Sequence, residues 1–389
     1  MPIEQRRVLI LSEIIAPYRI PVFNALAREE HVDLHVVFLS ETDAGLRQWR
    51  VYKNEIRFSY EVLPSTRLHA GKSSLLLNWK LRSHLEKFAP DVIICGGYNY
   101  IASWEALWWA KNHRAEMILW SESNRHDARS GRGWLESLKS YFLSRCDRFI
   151  VPGRASREYL QSFGVAEHDI STAPNAVDNT WFELQAEAVR EQPAAFRAEL
   201  ALPNRFLLFV GRLVPEKGAF DLLDAYAKLE DDIRSEIGLV FAGDGPSRRE
   251  LERRAKSIRF GDIRFPGFLH REKLAGLYAL AEVFILPTHS DPWGLVVNEA
   301  MACELPVIVS SVAGCSGDLV EDGRNGLIVP PRDSGKLRDA MDFLVRSDLR
   351  QQMGERSLAR IRNYSPEACA EGLAAAALAR AREVQWMTG

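Results

Sequence analysis

Residues 206–229 read FLLFVGRLVPEKGAFDLLDAYAKL, and this segment contains the pattern that decides the fold. Its first five residues, Phe206 to Val210, are all apolar and predict a buried strand. The loop that follows ends at Gly218, and the residues after it have the pattern of an amphipathic helix. A strand, a short loop and a helix form the repeating unit of a parallel sheet covered by helices. The segment therefore predicts an α/β protein.

The same alternation extends over the whole chain and predicts two α/β domains in tandem. After Pro174 it is interrupted by a polar, Ala-rich stretch. We predict a first domain over 1–178, a linker over 179–203, a second domain over 204–364 and a last helix over 365–386. Two facing sheets bind ligands in the cleft between them, beyond the carboxyl ends of the strands. Strands are predicted near 7–12, 32–39, 91–95, 116–121, 147–151, 169–173, 206–210, 237–242, 262–265, 283–286, 306–309 and 326–329, and helices near 20–30, 74–88, 100–113, 132–145, 154–163, 218–229, 246–257, 271–279, 295–303 and 335–346.

The composition is that of an ordinary globular protein, because 47% of the 389 residues are hydrophobic and 26% are charged. No run approaches the roughly 18 apolar residues that a membrane-spanning helix needs. The N-terminal residues lack the apolar region and cleavage site of a secretory signal. Five cysteines without a C-x-x-C pair argue against a disulfide framework or a zinc ribbon. We therefore expect the protein in the reducing cytoplasm.

The charge is unevenly distributed along the chain. Residues 1–160 hold 23 Lys and Arg against 18 Asp and Glu, whereas the remainder is acidic. This asymmetry indicates that the first half meets an anionic partner, such as a lipid surface or a phosphorylated acceptor, and the alternative is a solvated surface with no partner. No nucleic-acid partner is expected. Tryptophans near basic helices predict a peripheral membrane contact, with packing in the core as the alternative: Trp79, Trp104, Trp108, Trp109 and Trp134, near Lys80, Arg82, Lys111, Arg132 and Lys139.

Several common functional motifs are absent. The first strand is not followed by G-x-G-x-x-G, which disfavours an NAD-dependent oxidoreductase. Thr66 stands where a phosphate-binding P-loop needs its first glycine, and Gly314–Asp318 lacks the closing glycine of a hydrolase G-x-S-x-G turn. The nine histidines never pair at metal-ligand spacing. We expect no metal site.

The loop after Val210 is suited to a diphosphate. It carries Arg212 and Lys217 five residues apart, just before a helix begins. Arginine makes paired hydrogen bonds to phosphate oxygens, lysine adds a point charge, and the helix end contributes N–H groups. The alternative is a pair of exposed surface cations.

Glycines follow two further strands of the second half. Gly243 lies in the turn Phe241–Pro246, where small residues allow close backbone approach. Gly267 and Phe268 follow the next strand at the same edge, where the loop backbone could contact a nucleotide base. A plain strand-to-helix turn needs such residues equally.

Residues 289–302, HSDPWGLVVNEAMA, contain the clearest site motif. Asp291 precedes a predicted helix and Glu299 lies eight residues later, inside it. The two carboxylates can flank one ligand and accept hydrogen bonds from sugar and ribose hydroxyls, while the N–H groups of Gly294 and Leu295 face phosphate oxygens. The alternative is that Asp291 caps the helix and that Glu299 is solvated or paired.

Taken together, G-R-L-V-P-E-K-G, G-D-G-P, P-G-F and D-P-W-G-L-V-V-N-E-A-M-A-C resemble the donor half of the retaining nucleotide-sugar glycosyltransferases of family four. This resemblance implies the GT-B fold, in which two Rossmann-like domains face each other across a cleft, the first binding the acceptor and the second the donor. It also implies that the last helix crosses back to the first domain. By the same resemblance, Arg212 and Lys217 hold the donor diphosphate, Glu299 the ribose, Asp291 the transferred sugar, and Gly294 and Leu295 the phosphate.

The chain departs from the family pattern at several positions. Asp291 replaces the usual glutamate and is one methylene shorter, which puts the sugar specificity in doubt. Glu304 and Ala176 stand where glycine is common. Many members also have a glycine pair after the first strand. Here Arg19 is expected to make the equivalent contact to an anion, on the acceptor or phosphate side, with a surface role as the alternative.

The resemblance implies transfer of a hexose or deoxyhexose from a UDP- or GDP-sugar to a hydroxyl acceptor, with retention and without a metal or a further cofactor. His126 is expected to orient or deprotonate the acceptor, with Asp127 and Glu122 as alternatives. The reaction is expected to serve glycan, glycolipid or polysaccharide biosynthesis, with a lipid-linked acceptor as one option, in the cytoplasm or at the inner face of the membrane. A nucleotide-sugar epimerase and a noncatalytic sugar-nucleotide binding module remain alternatives.

Overall fold

The computed structural model describes residues 5–43, 48–70, 73–127 and 133–379. The first half consists of β1 (Arg6–Ser12), α1 (Arg19–Leu26), β2 (Val32–Phe38), β3 (Ser59–Val62), β4 (Ser65–Ala70), β5 (Ser73–Asn78), α2 (Leu81–Phe88), β6 (Val92–Cys95), α3 (Ile101–His113), β7 (Glu116–Trp120), α4 (Gly133–Arg145), β8 (Arg148–Val151), α5 (Arg154–Gln161) and β9 (Ile170–Thr172).

The second half begins with two helices and ends with three. It consists of α6 (Asn179–Glu191), α7 (Pro193–Leu200), β10 (Phe206–Val210), α8 (Ala219–Ala227), α9 (Asp231–Glu236), β11 (Gly238–Ala242), α10 (Arg248–Ala255), β12 (Ile263–Gly267), α11 (Arg271–Leu280), β13 (Val283–Leu286), α12 (Leu295–Ala302), β14 (Val307–Ser310), α13 (Ser316–Leu319), β15 (Gly326–Val329), α14 (Ser334–Arg346), α15 (Arg350–Ile361) and α16 (Pro366–Leu378).

Two parallel sheets form the cores of the two domains, as the alternating pattern predicts. The first sheet has the order β3-β2-β1-β6-β7-β8-β9 and the second the order β12-β11-β10-β13-β14-β15. The central strands are apolar throughout because both sheet faces are covered. In β1, Val8 and Ile10 pack beneath α1 and α16, whereas Leu9 and Leu11 pack beneath α2, α3 and α4.

The segment predicted as a helix over 74–88 is a helix only in its second part. Its first part is β5, which pairs antiparallel with β4 in a separate hairpin. Leu75 is exposed and Leu76 is buried in the core of the first domain, which is the alternation of a half-buried strand. The helical prediction was wrong there because a short apolar run does not distinguish the two structures.

Residues 179–200, which we predicted to link the domains, form α6 and α7. Phe182 and Ala186 of α6 belong to the same core cluster as the strands of the second sheet. At the other end, α16 returns to the first domain, where Cys369 and Leu373 are buried with residues of α1. The part of the predicted last helix beyond residue 379 lies outside the described residues.

Candidate active site

The loops that follow β10, β11, β12 and β13 meet at one edge of the second sheet, because parallel strands all end there. Backbone hydrogen bonds join them. Leu213 donates to the carbonyl of Asp244 (2.9 Å), Gly243 donates to that of Gly267 (2.8 Å), and His289 donates to that of Glu216 (2.8 Å). The predicted site segments are therefore neighbours in space.

Two glycines allow this close packing. Gly218 has φ +71° and a Cβ on it would lie 2.0 Å from the carbonyl oxygen of Pro287. Gly243 has φ +142° and a Cβ on it would lie 1.9 Å from the carbonyl oxygen of Gly211. Any side chain would force the loops apart, so both positions require glycine. Gly243 is therefore needed for the packing of these loops, independently of any contact with a ligand.

Lys217 and Asp291 form an ion pair across two of these loops. The Lys217 ammonium group donates to Asp291 Oδ2, and both side chains are largely buried. The backbone N–H of Trp293 makes a longer contact of 3.4 Å with Asp291 Oδ1. Arg212 is exposed and forms no ion pair within the described ranges. Lys217, a predicted phosphate ligand, is thus paired with Asp291, the predicted sugar ligand. Arg212, the other predicted phosphate ligand, is accessible.

Helix α12 begins beside this pair. Its N-cap is Gly294, with φ +98°, and within the part of the chain that the structure describes no side chain caps it. The alternative in which Asp291 caps the helix is therefore wrong. Gly294 and Leu295 provide the first N–H groups of the helix, where partial positive charge favours an anion.

Glu299 lies inside α12 and accepts a hydrogen bond from the hydroxyl of Tyr278 on α11 (2.8 Å). Tyr278 is fully buried. Burial raises the pKa of the Glu299 carboxyl to about 7, and the bond from Tyr278 offsets this only in part. The carboxyl is therefore neither fully solvated nor paired with a cation among the described residues, and its proton can leave near neutral pH.

The edge beyond β12 is formed by Gly267 and Phe268. Phe268 is partly exposed and its ring makes an edge contact with His270, with a centroid distance of 5.2 Å. Arg248 donates to the carbonyl of Phe265 (3.2 Å) and pairs with Glu252 (2.7 Å). These groups lie at the same sheet edge as the loop 211–218 that follows β10, on the side of that loop away from α12.

The first domain reaches this edge through the loop after β7. Asn124 Nδ2 donates to the carbonyl of Asp291 (3.1 Å), and the Ser290 hydroxyl donates to the carbonyl of His126 (3.1 Å). His126 is exposed, whereas the side chain of Asp127 lies outside the described residues. The backbone of His126, which we predicted to orient or deprotonate the acceptor, therefore lies directly against the loop that carries Asp291.

Arg19 and Glu122 form an ion pair at the carboxyl edge of the first sheet. The Arg19 guanidinium lies 3.8 Å from the centroid of the Trp120 ring and is largely buried. A surface role for Arg19 is therefore wrong. Because its carboxylate is already bound by Arg19, Glu122 is a weaker alternative to His126 as a base.

A second contact between the domains lies beside the first one. The backbone N–H of Arg154, at the start of α5, donates to both carboxylate oxygens of Asp318 (3.1 and 3.3 Å). A Cβ on Gly153 would lie 2.6 Å from the same carboxylate and 2.8 Å from the Trp293 ring. A cavity of about 170 Å³ lies between His126, Arg154 and the loop 311–318.

Among the described residues, no group of three or more His, Cys, Asp and Glu side chains could hold a metal ion. No helix over these ranges is both long and apolar enough to cross a membrane.

Comparison with protein families covers most of the chain. Residues 23–181 match the family described as Glycosyltransferase Family 4, and residues 192–360 match Glycosyl transferases group 1. The chain is a family-four-type glycosyltransferase. This confirms the family resemblance, and the two parallel-sheet domains confirm the GT-B fold.

Curated relatives share about a third of the aligned residues with this glycosyltransferase. Alpha-D-kanosaminyltransferase of Streptomyces kanamyceticus is 33% identical over 42% of this chain and 42% of its own length. D-inositol 3-phosphate glycosyltransferase of Frankia alni is 32% identical over 61% of this chain and 65% of its own. The chain thus matches between about two fifths and two thirds of the length of these relatives.

Solved structures share the fold over nearly the whole chain. HepE of Anabaena, solved in complex with UDP, has a TM-score of 0.74 at 16% identity and covers 95% of this glycosyltransferase and 98% of its own chain. Sucrose-phosphate synthase of Thermosynechococcus elongatus has a TM-score of 0.73 at 20% identity, covering 95% and 98%. At 16% and 20% sequence identity, this structural similarity establishes the shared fold alone.

Sequence reasoning missed two residues of the site of this glycosyltransferase. Tyr278 lies within an apolar stretch of α11, where a tyrosine is typical of a core position. Arg248 begins a helix rich in charged residues, so nothing in its spacing distinguishes it from its neighbours. Both are recognised only from the contacts that the fold creates.

Proposed function

We propose that this glycosyltransferase moves a hexose or deoxyhexose from a UDP- or GDP-sugar to a hydroxyl acceptor, with retention at the anomeric carbon. The observation that carries the proposal is that the loop of Arg212 and Lys217, the Lys217–Asp291 pair and the start of α12, the helix of Glu299, share the strand edge that contacts the first domain. Cations suited to a diphosphate and carboxylates suited to hydroxyls lie side by side there. That UDP is bound by HepE, a protein of the same fold, supports the choice of donor.

Each part of the donor would have its own ligand. The diphosphate would lie between Arg212, Lys217 and the first N–H groups of α12, since all three favour negative charge. Glu299 would accept hydrogen bonds from the ribose hydroxyls while Tyr278 holds its other oxygen. The base would lie against the Gly267–Phe268 backbone, beyond the diphosphate loop.

Transfer would break the bond between the anomeric carbon and the diphosphate oxygen and form a bond from the acceptor oxygen on the same face of the sugar. The leaving phosphate oxygen would take the acceptor proton, with His126 orienting the hydroxyl. Arg212 and Lys217 would stabilise the charge that develops on the diphosphate, which lowers the barrier because this charge is greatest in the transition state. Because protein cations supply this charge, we propose that the reaction needs no metal.

The acceptor would enter from the first domain, whose loop 124–126 borders Asp291. We further propose that it belongs to glycan, glycolipid or polysaccharide biosynthesis and that it is handled in the cytoplasm, at the inner face of the membrane where it is lipid-linked. The basic balance of residues 1–160 supports an anionic acceptor or surface.

Calorimetric titration with UDP, GDP and their sugars tests the proposal. Glu299→Ala and Arg212→Ala should each weaken nucleotide binding by about 1–3 kcal/mol, the loss expected for a charged hydrogen bond. Arg249→Ala is the matched control, since Arg249 is exposed on the neighbouring helix α10. Equal affinity in wild type, Glu299→Ala and Arg212→Ala would refute the site. The anomeric configuration of the product, determined by NMR, tests retention.

A further inference from the structure

We propose that the first domain docks on an anionic phospholipid membrane through one aromatic face, and this inference does not depend on the transfer reaction. The aromatic face is the outward side of the β4–β5 hairpin and of helices α2, α3 and α4. It consists of the exposed side chains of Leu68, Leu75, Trp79, Ile101, Trp108, Leu138 and Tyr141.

The first observation is the concentration of exposed apolar side chains. Over the described ranges, twelve large hydrophobic residues are exposed, and seven of them belong to this face. Trp79, Trp108 and Tyr141 are 50%, 55% and 52% exposed. Tryptophan rarely stays so exposed without a partner, because it has a large apolar area to bury. Of the tryptophans in the sequence prediction, only Trp109, at 3% exposed, is a fully buried core residue among those described.

The second observation is that these elements form one layer. The buried sides of β5, α2, α3 and α4 belong to a single core cluster on one face of the first sheet, with Leu76, Leu85, Ala106 and Phe142 as members. The opposite sides of these four elements therefore all face away from the sheet. α1 and α16 cover the other sheet face and take no part in the aromatic face.

Contacts between side chains make the face continuous across the three helices. The Arg82 guanidinium of α2 lies 5.7 Å from the ring centroid of Trp108 on α3. Trp104 of α3 stacks on Tyr141 of α4, with ring centroids 6.2 Å apart and an interplanar angle of 7°. On α3 itself, Ile101 and Trp108 are seven residues apart and so share one side of the helix.

The third observation is the charge around the face. On α2, α3, α4 and the described residues within two positions of them, six cations are exposed, against three glutamates and Asp147, which is paired with Lys111 (2.7 Å). Arg82 is paired with Glu86, and Arg145 lies 5.2 Å from the Tyr141 ring centroid. Aromatic side chains bordered by long cations are typical of surfaces that insert into the headgroup region of anionic membranes. The cations are Lys80, Arg82, Lys87, Lys111, Arg114 and Arg145, and the glutamates are Glu86, Glu105 and Glu136.

The aromatic face also begins at the sheet edge that borders the cleft between the two domains. α3 begins at Ile101, shortly after β6 ends at Cys95, so its first turn lies at the carboxyl edge of the sheet. His126 follows β7 at the same edge. A membrane in contact with the aromatic face would therefore lie beside the entrance for an acceptor.

A second copy of the chain is a less suitable partner for the same face. Two such faces brought together would place like charges opposite each other at their rims, which is unfavourable. An anionic bilayer instead neutralises these charges and accepts the aromatic rings at its interface.

Cosedimentation with vesicles tests the inference, using phosphatidylcholine alone and phosphatidylcholine containing phosphatidylglycerol, at low and high salt. The protein should bind the vesicles that contain phosphatidylglycerol at low salt and dissociate at high salt. The double variant Trp79→Ser/Trp108→Ser should lower the vesicle partition coefficient by about tenfold or more, because its inserting rings are lost. Lys80→Glu/Lys87→Glu should remove the preference for phosphatidylglycerol.

Phe343→Ser is the matched control, because Phe343 is 48% exposed on α14 of the second domain, outside the aromatic face. It should leave vesicle binding unchanged. Unchanged nucleotide affinity and thermal unfolding of each variant, measured without vesicles, show that it is folded, and they report on the donor site separately from membrane binding. The inference is overturned by absence of binding at low salt, by equal binding to both vesicle types, or by an equal loss in Phe343→Ser. It is also overturned by a wild-type dimer that Trp79→Ser/Trp108→Ser makes monomeric in analytical ultracentrifugation.

Discussion

The raised pKa of Glu299 predicts that donor binding is coupled to proton release near neutral pH. Burial raises this pKa from about 4.5 to about 7, so a large fraction of the ligand-free protein carries the proton at pH 7. Ribose hydroxyls donate hydrogen bonds best to the ionised carboxylate, and a bound ribose should therefore lower the pKa. By linkage, affinity then rises with pH as the proton is lost from the free protein.

The magnitude follows from that pKa. If the carboxylate stays ionised in the complex, the dissociation constant should fall about tenfold between roughly pH 6 and pH 8, or about 1.4 kcal/mol. The assay is calorimetric titration with a UDP-sugar, whose diphosphate has no ionisation in this range, in two buffers of different ionisation enthalpy. Proton release on binding should be largest near pH 6 and vanish by about pH 8.

Glu299→Gln isolates the effect, because an amide oxygen still accepts the Tyr278 hydrogen bond but cannot titrate. Its affinity should be lower than that of wild type at pH 8 and almost independent of pH. Glu187→Gln on α6, an exposed position, is the control and should keep the wild-type profile. Equal wild-type affinity at both pH values, or a tenfold change that persists in Glu299→Gln, would refute the coupling.

The raised pKa of Glu299 also predicts how the free energy of unfolding depends on pH. The folded-state pKa lies above the unfolded value, so the folded state holds the proton more tightly and stability is lost as pH rises from about 4.5 to about 7. The loss is at most about 3.5 kcal/mol, at about 1.4 kcal/mol for each pH unit between the two pKa values. Above pH 7, Glu299→Gln should therefore unfold at a higher temperature than wild type.

Two further outcomes are expected. Transfer activity should survive a chelator if Arg212 and Lys217 supply the positive charge as proposed, and loss of turnover that magnesium or manganese restores would contradict this role. Lys139 is buried against Tyr159 and Phe163, and burial lowers its pKa to about 8. Because the folded-state pKa lies below the unfolded one, stability should rise with pH between about 8 and 10.5. Lys139→Met should accordingly raise the unfolding temperature at neutral pH, with Lys256→Met, at an exposed position, as the control; no difference between the two variants would contradict the burial effect.

The edge strand β3 of the first sheet was missed, because its sequence SYEV is not an apolar run. The other strands of both sheets could be predicted because most of them contain short apolar runs bounded by turn signals, as in Phe206–Val210. The β4–β5 hairpin could not. Its three leucines, Leu75 to Leu77, run into the amphipathic pattern of α2, and a helix accounts equally well for such a run. Only the pairing with β4, which depends on the whole first domain, decides between the two.

The site was predictable as a set of segments but not as a set of contacts. Arg212, Asp291 and Glu299 could be proposed as donor ligands because their residue types and spacing suit a donor, and these roles stay predictions. The Lys217–Asp291 pair joins loops 74 residues apart, and the Tyr278–Glu299 bond joins two helices. Such pairings follow from which loops and helices the strand order brings together, and this is a property of the fold rather than of local sequence.

The Lys217–Asp291 pair changes what the two residues are expected to do separately. Asp291 neutralises Lys217 in the structure. If the two residues have the roles proposed above, a bound diphosphate would draw the ammonium group away and free the carboxylate for the hydroxyls of the sugar. Asp291→Ala removes the competing carboxylate and should leave affinity for bare UDP unchanged or raise it, while turnover falls because the sugar loses its ligand. Lys217→Ala should weaken binding and turnover together, since the diphosphate is bound in the ground state and gains charge in the transition state. Titration with UDP beside transfer kinetics separates the two effects. A loss of UDP affinity in Asp291→Ala as large as that in Lys217→Ala would show that the carboxylate acts on the phosphate side, and not on the sugar.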